Sequence, residues 1–231
     1  MKIYGLQKLT LLDYPGKTAC TIFTGGCNFR CPFCHNALLV TDIDESDTYT
    51  EEEILSFLSK RQGLLDGVCI TGGEPLMHSD IIEFVKRIKE LGYKVKLDTN
   101  GTFPERLKEL LENSLVDYVA MDIKNCKEKY AKTAGITNIA LSNIEKSINL
   151  LKSSDIEYEF RTTVVKEFHE TDDIEKIAEW ISGAKNYFLQ NFEDSGNLIG
   201  ENLSPVSKDT LIEMQSCSNA FVKNTQIRGV Q

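Results

Sequence analysis

Six short apolar runs separated by stretches of helical periodicity, recurring from Ala19 to Phe192, constrain the fold more than any other feature of this sequence. The runs are ACTIFT from Ala19, GVCIT from Gly67, KVKLDT from Lys94, DYVAMDI from Asp117, IEYEFRTTVV from Ile156 and YFLQNF from Tyr187. Between them apolar residues fall at helical spacing, as at Ile81, Val85 and Ile88 or Ile144, Ile148 and Leu151, the stripe of a helix packed on one face. Boundary signals agree: Thr50 precedes Glu53 in a capping-box pattern, Ser79 can cap the next helix, Gly92 offers its stop and Pro104 suits a first helical turn. Strands alternating with helices give right-handed βαβ units and a parallel sheet. The expected class is therefore α/β, a partial (β/α)6-type barrel with parallel strands. One domain over 1–231 is expected: an extended lead-in over 1–18, the β/α core over 19–191 and a C-terminal extension over 192–231. The extension holds a helix near Ser207 to Cys217 and a last strand at TQIRG.

With 231 residues and 41% hydrophobic content the chain can bury a full core. A formal net charge of −9 argues against a nucleic-acid surface, because phosphate contacts need clustered Lys and Arg. The opening MKIYGLQKLT lacks an apolar signal region, and no run of about 18 apolar residues occurs, so a cytoplasmic protein with no membrane span is expected. Seven cysteines, three of them in the eight residues CNFRCPFC, fit metal ligation in a reducing compartment better than a disulfide framework.

The chemically distinctive residues follow the strands. The cysteine triplet Cys27, Cys31 and Cys34 comes after the first, TGGEP ends the second, DTNG the third and DIK the fourth. Catalytic loops of barrel folds gather at these C-terminal strand ends. A 4Fe-4S cluster usually takes four thiolates, so three leave one iron open, and an open position separates a metal centre that does chemistry from one that holds structure. A structural zinc held by the three cysteines and His35 is the rival, although zinc frameworks generally separate two ligand pairs by a longer loop. Cys20, Cys69, Cys126 and Cys217 lack ligand spacing and read as small buried hydrophobes.

CNFRCPFC resembles the cysteine signature of radical S-adenosylmethionine (SAM) enzymes, with Phe33 at its aromatic position, and TGGEP is similar to the GGE motif of that superfamily. DYPGKTACTIFTGGCNFRCPFCHN, ITGGEPLMH, LDTNG and MDIK together resemble the activating enzymes of glycyl radical enzymes, most of all those serving anaerobic ribonucleoside-triphosphate reductase. The resemblance implies one 4Fe-4S cluster on Cys27, Cys31 and Cys34, with SAM as cofactor. Reductive cleavage of that cofactor would yield a deoxyadenosyl radical that takes hydrogen from a glycine of the partner. It also implies a flavodoxin or ferredoxin-type electron donor. By the same resemblance Gly72, Gly73 and Glu74 face the methionyl group, Asp98, Thr99 and Asn100 line the ribose and methionine region, and Lys124, beside Asp122, meets the cofactor carboxylate; Asp122 and Lys124 otherwise read as a solvated pair on a strand end. Arg161 either joins them near anionic cofactor atoms or pairs with a neighbouring carboxylate. His35 brings its backbone beside the adenine. Some activating enzymes carry a cofactor-facing His where this chain has Phe192.

Asp13, in DYPGK, is the candidate contact to the substrate's glycine loop; the alternative is a plain Pro-Gly turn. Glycines at 72 and 73 also suit a strand-end turn, and Asp98 to Asn100 an Asx turn before Gly101. Two other functions remain open on sequence: a radical SAM enzyme acting on a small molecule, similar to deazaguanine synthases, and a zinc-stabilised binding module.

Overall fold

The computed structural model describes residues 1–43 and 48–229, so the last two residues of the expected extension lie outside the described residues. One sheet holds eight strands in chain order: β1 Ile3–Thr10, β2 Ala19–Thr24, β3 Gly67–Gly72, β4 Lys94–Thr99, β5 Tyr118–Asp122, β6 Glu157–Val164, β7 Tyr187–Asn191 and β8 Thr225–Arg228. From β2 to β8 every neighbouring pair is parallel. The crossovers carry α1 Glu51–Ser59, α2 Ile81–Glu90, α3 Pro104–Glu112, α4 Tyr130–Thr133, α5 Leu141–Ser153, α6 Thr171–Trp180 and α7 Lys208–Ser218. β1 and β8 are the two edges, so the sheet is an open part-barrel.

The six expected strands are β2 to β7, and TQIRG becomes β8, which continues the parallel order by pairing Tyr187 with Thr225. The lead-in differs from a merely extended segment: Ile3–Thr10 is a full strand, antiparallel to β2 with Ile3 opposite Thr24. Its side chains are mostly half-buried or exposed, which hides it from a search for apolar runs. At α1 the capping box forms as expected, with the Glu53 amide donating to the Thr50 hydroxyl at 3.2 Å and the Thr50 amide donating to the Glu53 carboxylate at 2.8 Å. At α2, Asp80 rather than Ser79 takes the N-cap position, and it makes no side-chain cap bond.

Strand residues alternate between two environments. Val68 and Ile70, Val95 and Leu97, Val119 and Met121, and Tyr158 and Phe160 join Phe84, Ile88, Leu107, Leu110, Ile148 and Ile177 of the helices in the apolar core. The intervening residues, among them Cys69, Thr71, Asp98, Asp122, Arg161 and Thr163, border a cavity on the other face. The core therefore lies between sheet and helices, and the inner face is left for polar work.

Phe84 is fully buried between α2 and the sheet. Phe84→Ala should lower the urea-unfolding free energy by about 3–5 kcal/mol, through lost burial and the cavity left behind.

Candidate active site at the strand ends

A cavity of about 410 Å³ lies at the C-terminal ends of β2 to β7. Every candidate from the sequence borders it: Cys27, Cys31 and Cys34; Phe33 and His35; Gly72, Gly73 and Glu74; Asp98, Thr99 and Asn100; Asp122, Lys124 and Arg161; and Asp13.

The cysteine loop is pinned from outside. Phe29 and Phe33, each two residues after a cysteine, are buried against Tyr130 (ring centroids 6.4 Å apart) and Phe168 (5.8 Å). The Arg30 amide donates to the Ala134 carbonyl at 2.9 Å, and the Gly200 amide donates to the Pro32 carbonyl at 2.7 Å. Cys31 is buried, which pushes its thiol up to about 12, although Lys124 pulls the other way. Among the described residues no three His, Cys, Asp or Glu side chains converge on a single-ion position. A four-iron cluster asks for something else, one thiolate per iron, and three thiols bordering one cavity fit that demand. Iron would hold such thiols deprotonated, as coordinating metals do.

The Gly72–Glu74 turn is set against this loop mainly by backbone, with the Asn36 side chain donating to the Gly72 carbonyl at 2.9 Å. Gly73 donates to the Thr24 carbonyl and Glu74 to the Gly26 carbonyl, each at 2.8 Å. A Cβ on Gly73 would lie 1.8 Å from the Gly26 oxygen, and Gly72, at φ 109°, would place one 2.3 Å from the Thr24 oxygen. The glycines are thus required by the approach of β3 to the end of β2, before any cofactor is considered.

Glu74 is buried, and protein donors take most of its acceptor capacity. Oε1 accepts from the Leu76 amide at 3.0 Å and the Thr99 hydroxyl at 2.8 Å, while Oε2 accepts from the Asn100 amide at 2.6 Å. Of roughly four lone-pair sites on a carboxylate, one remains. Thr99 and Asn100 are thereby knots in the site's frame. Asn100 also accepts from the Thr102 amide at 3.0 Å, the expected Asx turn, and donates to Asn28 at 2.9 Å in the cysteine loop.

Charged groups on β4 to β6 satisfy one another. Arg161 donates through Nε to Asp122 at 2.9 Å and through both Nη atoms to Asp98 at 3.2 Å. Lys124 pairs with the second Asp122 oxygen at 3.1 Å, and Lys96 pairs with Asp98. Burial would raise Asp122, but Arg161 and Lys124 hold it down at about 2. The same contest, with Arg161 and Lys96 as cations, leaves Asp98 below the usual carboxylate value. Arg161 thus pairs with two carboxylates while also bordering the cavity.

Around the rim, His35 stands edge-on to Phe192 with centroids 6.0 Å apart. DYPGK does form a turn, with the Lys17 amide donating to the Tyr14 carbonyl at 3.1 Å, yet Asp13 also reaches the cavity and accepts from the Thr21 hydroxyl at 2.5 Å. Sequence reasoning missed Thr21, Thr71, Thr163 and Gln190, and treated Cys69 as a plain core residue; all border the cavity. Polar residues at every second position of otherwise apolar strands, such as Glu159, Arg161 and Thr163, were the signal that could have found this inner row.

The profile of the Radical SAM superfamily matches residues 21–181. Over 234 aligned residues the chain is 34% identical to a protein of Methanocaldococcus jannaschii provisionally named a glycyl-radical enzyme activating enzyme, covering 99% of this chain and 96% of that one. It is 26% identical to a pyruvate formate-lyase-activating enzyme of Staphylococcus aureus, across 83% of this chain and 78% of the relative. Among solved structures, SuiB of Streptococcus suis bound to the precursor peptide SuiA superposes with a TM-score of 0.71 over 90% of this chain and 48% of SuiB, at 14% identity. QueE from Escherichia coli superposes at 0.56 over 99% of this chain and 94% of QueE, at 18% identity. These two are likenesses of fold.

Glu74 gives the site a pH signature. Burial raises it, the donors from Asn100, Thr99 and Leu76 lower it, and the balance is a value of about 7 against an ordinary 4.5. A carboxyl raised on folding stabilises the fold below its unfolded value and loses that contribution as pH rises through the folded one. Stability of the metal-free protein should therefore fall between about pH 4.5 and 7 by on the order of 3 kcal/mol at most on this account. Urea midpoints measured across that window should show a shallower slope in Glu74→Gln.

Proposed function

The chain belongs to the radical SAM superfamily and, within it, to the glycyl-radical enzyme activating enzymes, and on that premise we propose that its substrate is a glycine of the large subunit of an anaerobic ribonucleotide reductase. The observation that carries the reading is the convergence of three cysteine thiols, the Gly72–Glu74 turn and the ends of β4, β5 and β6 on one cavity that also reaches Asp13. Family membership brings a 4Fe-4S cluster and SAM, which together supply one-electron cleavage of the cofactor and hydrogen-atom abstraction.

In this reading Cys27, Cys31 and Cys34 hold the cluster, and Phe33 anchors their loop. Gly72, Gly73 and the remaining acceptor site of Glu74 receive the methionyl group, and Lys124 attracts its carboxylate. Asp98, Thr99, Asn100, Asp122 and Arg161 fix the wall around the ribose, with the His35 backbone beside the adenine. Asp13 accepts from the substrate's glycine loop through the oxygen that Thr21 leaves free. The whole chain, 1–231, acts as one unit in the cytoplasm, with a flavodoxin or ferredoxin-type protein as electron donor. Among the described residues no helix is long and apolar enough to cross a membrane, which is compatible with that location.

A protein substrate suits the open sheet. The edges β1 and β8 leave a side entrance bordered by Leu12, Asp13 and Pro15 on one flank and Arg228 and Gly229 on the other. A backbone glycine is an apt target, because flanking amides stabilise the radical formed and no side chain obstructs approach.

Reduced anaerobically with SAM and the reductase large subunit of the same organism, the protein should form 5′-deoxyadenosine and a doublet electron paramagnetic resonance signal. Replacing the partner's radical-site glycine by alanine should remove the doublet. Cys31→Ala should lose most bound iron and sulfide as well, a loss read by metal analysis without turnover. Wild-type iron content in that variant, or one zinc in colourless protein, would remove the cluster assignment. Turnover of a small molecule, with no doublet on any glycyl radical enzyme of the organism, would put the small-molecule reading in its place.

A further inference from the structure

The inner face of the sheet carries two kinds of polar group. Most are already committed to the protein: the Arg161 pairs with Asp98 and Asp122, and Glu159 accepts from Arg228 at 2.8 and 2.9 Å and from the Tyr118 hydroxyl at 2.7 Å. Thr163 and Gln190 differ. Both border the cavity, and neither side chain makes a hydrogen bond to another described residue. They are register partners on β6 and β7, so they rise side by side from the same face.

Gln190 also borders a second cavity of about 270 Å³, the one that opens between the lead-in and β8. Cys27, Cys31, Cys34 and the Gly72–Glu74 turn border only the first. Gln190 therefore stands at the passage between the two, on the side away from the cysteines, and Asp13 is another residue common to both cavities. Lys96, Asp98, Glu159, Arg161 and Arg228 in this passage are paired with one another, which leaves one Asp13 oxygen and, among neutral groups, the Gln190 amide and the Thr163 hydroxyl free to meet a substrate. A primary amide donates and accepts together, the same pattern that a peptide group presents. Recognition through main-chain hydrogen bonds needs that pattern and no particular substrate side chain.

We propose that Gln190, with Thr163 beside it, binds the main chain of the extended segment that carries the reacting glycine. The inference rests on the glycyl-radical reading for the identity of that segment, and it makes Gln190 a residue that sets where the segment lies.

The test uses reconstituted holoenzyme with SAM and no reductant, and a fluorescein-labelled alanine peptide with one central glycine as probe. Fluorescence anisotropy should show binding to the wild type, weakened about tenfold in Gln190→Ala, the scale of one or two hydrogen bonds. Peptides with single amides replaced by esters should reveal one position whose ester weakens binding to the wild type but not to Gln190→Ala. Thr163→Val should weaken the probe further when combined with Gln190→Ala. Equilibrium dialysis of SAM and the urea midpoint, run on the same variants, should move little. A wild type that does not bind the probe, a Gln190→Ala protein with undiminished peptide affinity, or a loss of SAM affinity instead would each overturn the proposal. Because peptide binding is read without turnover, absence of the doublet on the partner would refute the functional reading separately.

Discussion

A guanidinium held between two carboxylates is the contact on which the rest of the site depends. Arg161 on β6 joins Asp98 at the end of β4 to Asp122 at the end of β5, and Lys96 and Lys124 complete the row. A sheet that turns an apolar face to its helices must expose the other face to something, and uncompensated charges there would be costly in proportion to their burial. Alternation of sign across three adjacent strands removes most of that cost. Truncating Arg161 would leave two neighbouring carboxylates facing each other, whereas truncating either aspartate leaves the arginine a second partner.

The cysteine loop and the glutamate turn are brought together by a different device, main-chain contact supplemented by the Asn36 side chain on the Gly72 carbonyl. Gly26, Gly72 and Gly73 let the ends of β2 and β3 approach closely enough for amide-to-carbonyl bonds between them. Asn100 then reaches from β4 to both, donating its amide to Glu74 and its side chain to Asn28. Three loops that are remote in sequence are locked into one surface by a few short bonds, so distances among the cysteines and Glu74 follow from strand register rather than from flexible linkers.

Much of this was legible in the sequence. The six core strands, their helices and the strand-end placement of the cysteines, TGGEP, DTNG and DIK follow from periodicity and from the rule that barrel chemistry sits at strand ends. What escaped was governed by tertiary partners. β1 owes its existence to pairing with β2 and carries little apolar signal of its own. Asp98 and Arg161 could be marked as important, but not as bonded to each other, because their contact spans 63 residues. Cys69 looked like packing because a lone thiol in an apolar strand gives no hint of which face it occupies; the register of β3 decides that. The lead-in posed a choice between a turn and a substrate contact, and the fold makes it both, since the turn is what carries Asp13 to the cavity.

The inner row of charges has a further consequence for the medium in which the protein works. Exposed pairs such as Lys176 with Asp172 and Lys108 with Glu112 lie in water, where dissolved ions weaken them. Asp98 and Arg161 keep only 15% and 17% of their side-chain surface open, and salt ions cannot come between them. Changes of ionic strength will therefore loosen the decoration of the helices while leaving the potential inside the part-barrel nearly constant, so the field felt at the strand ends is a property of the fold rather than of the surrounding solution.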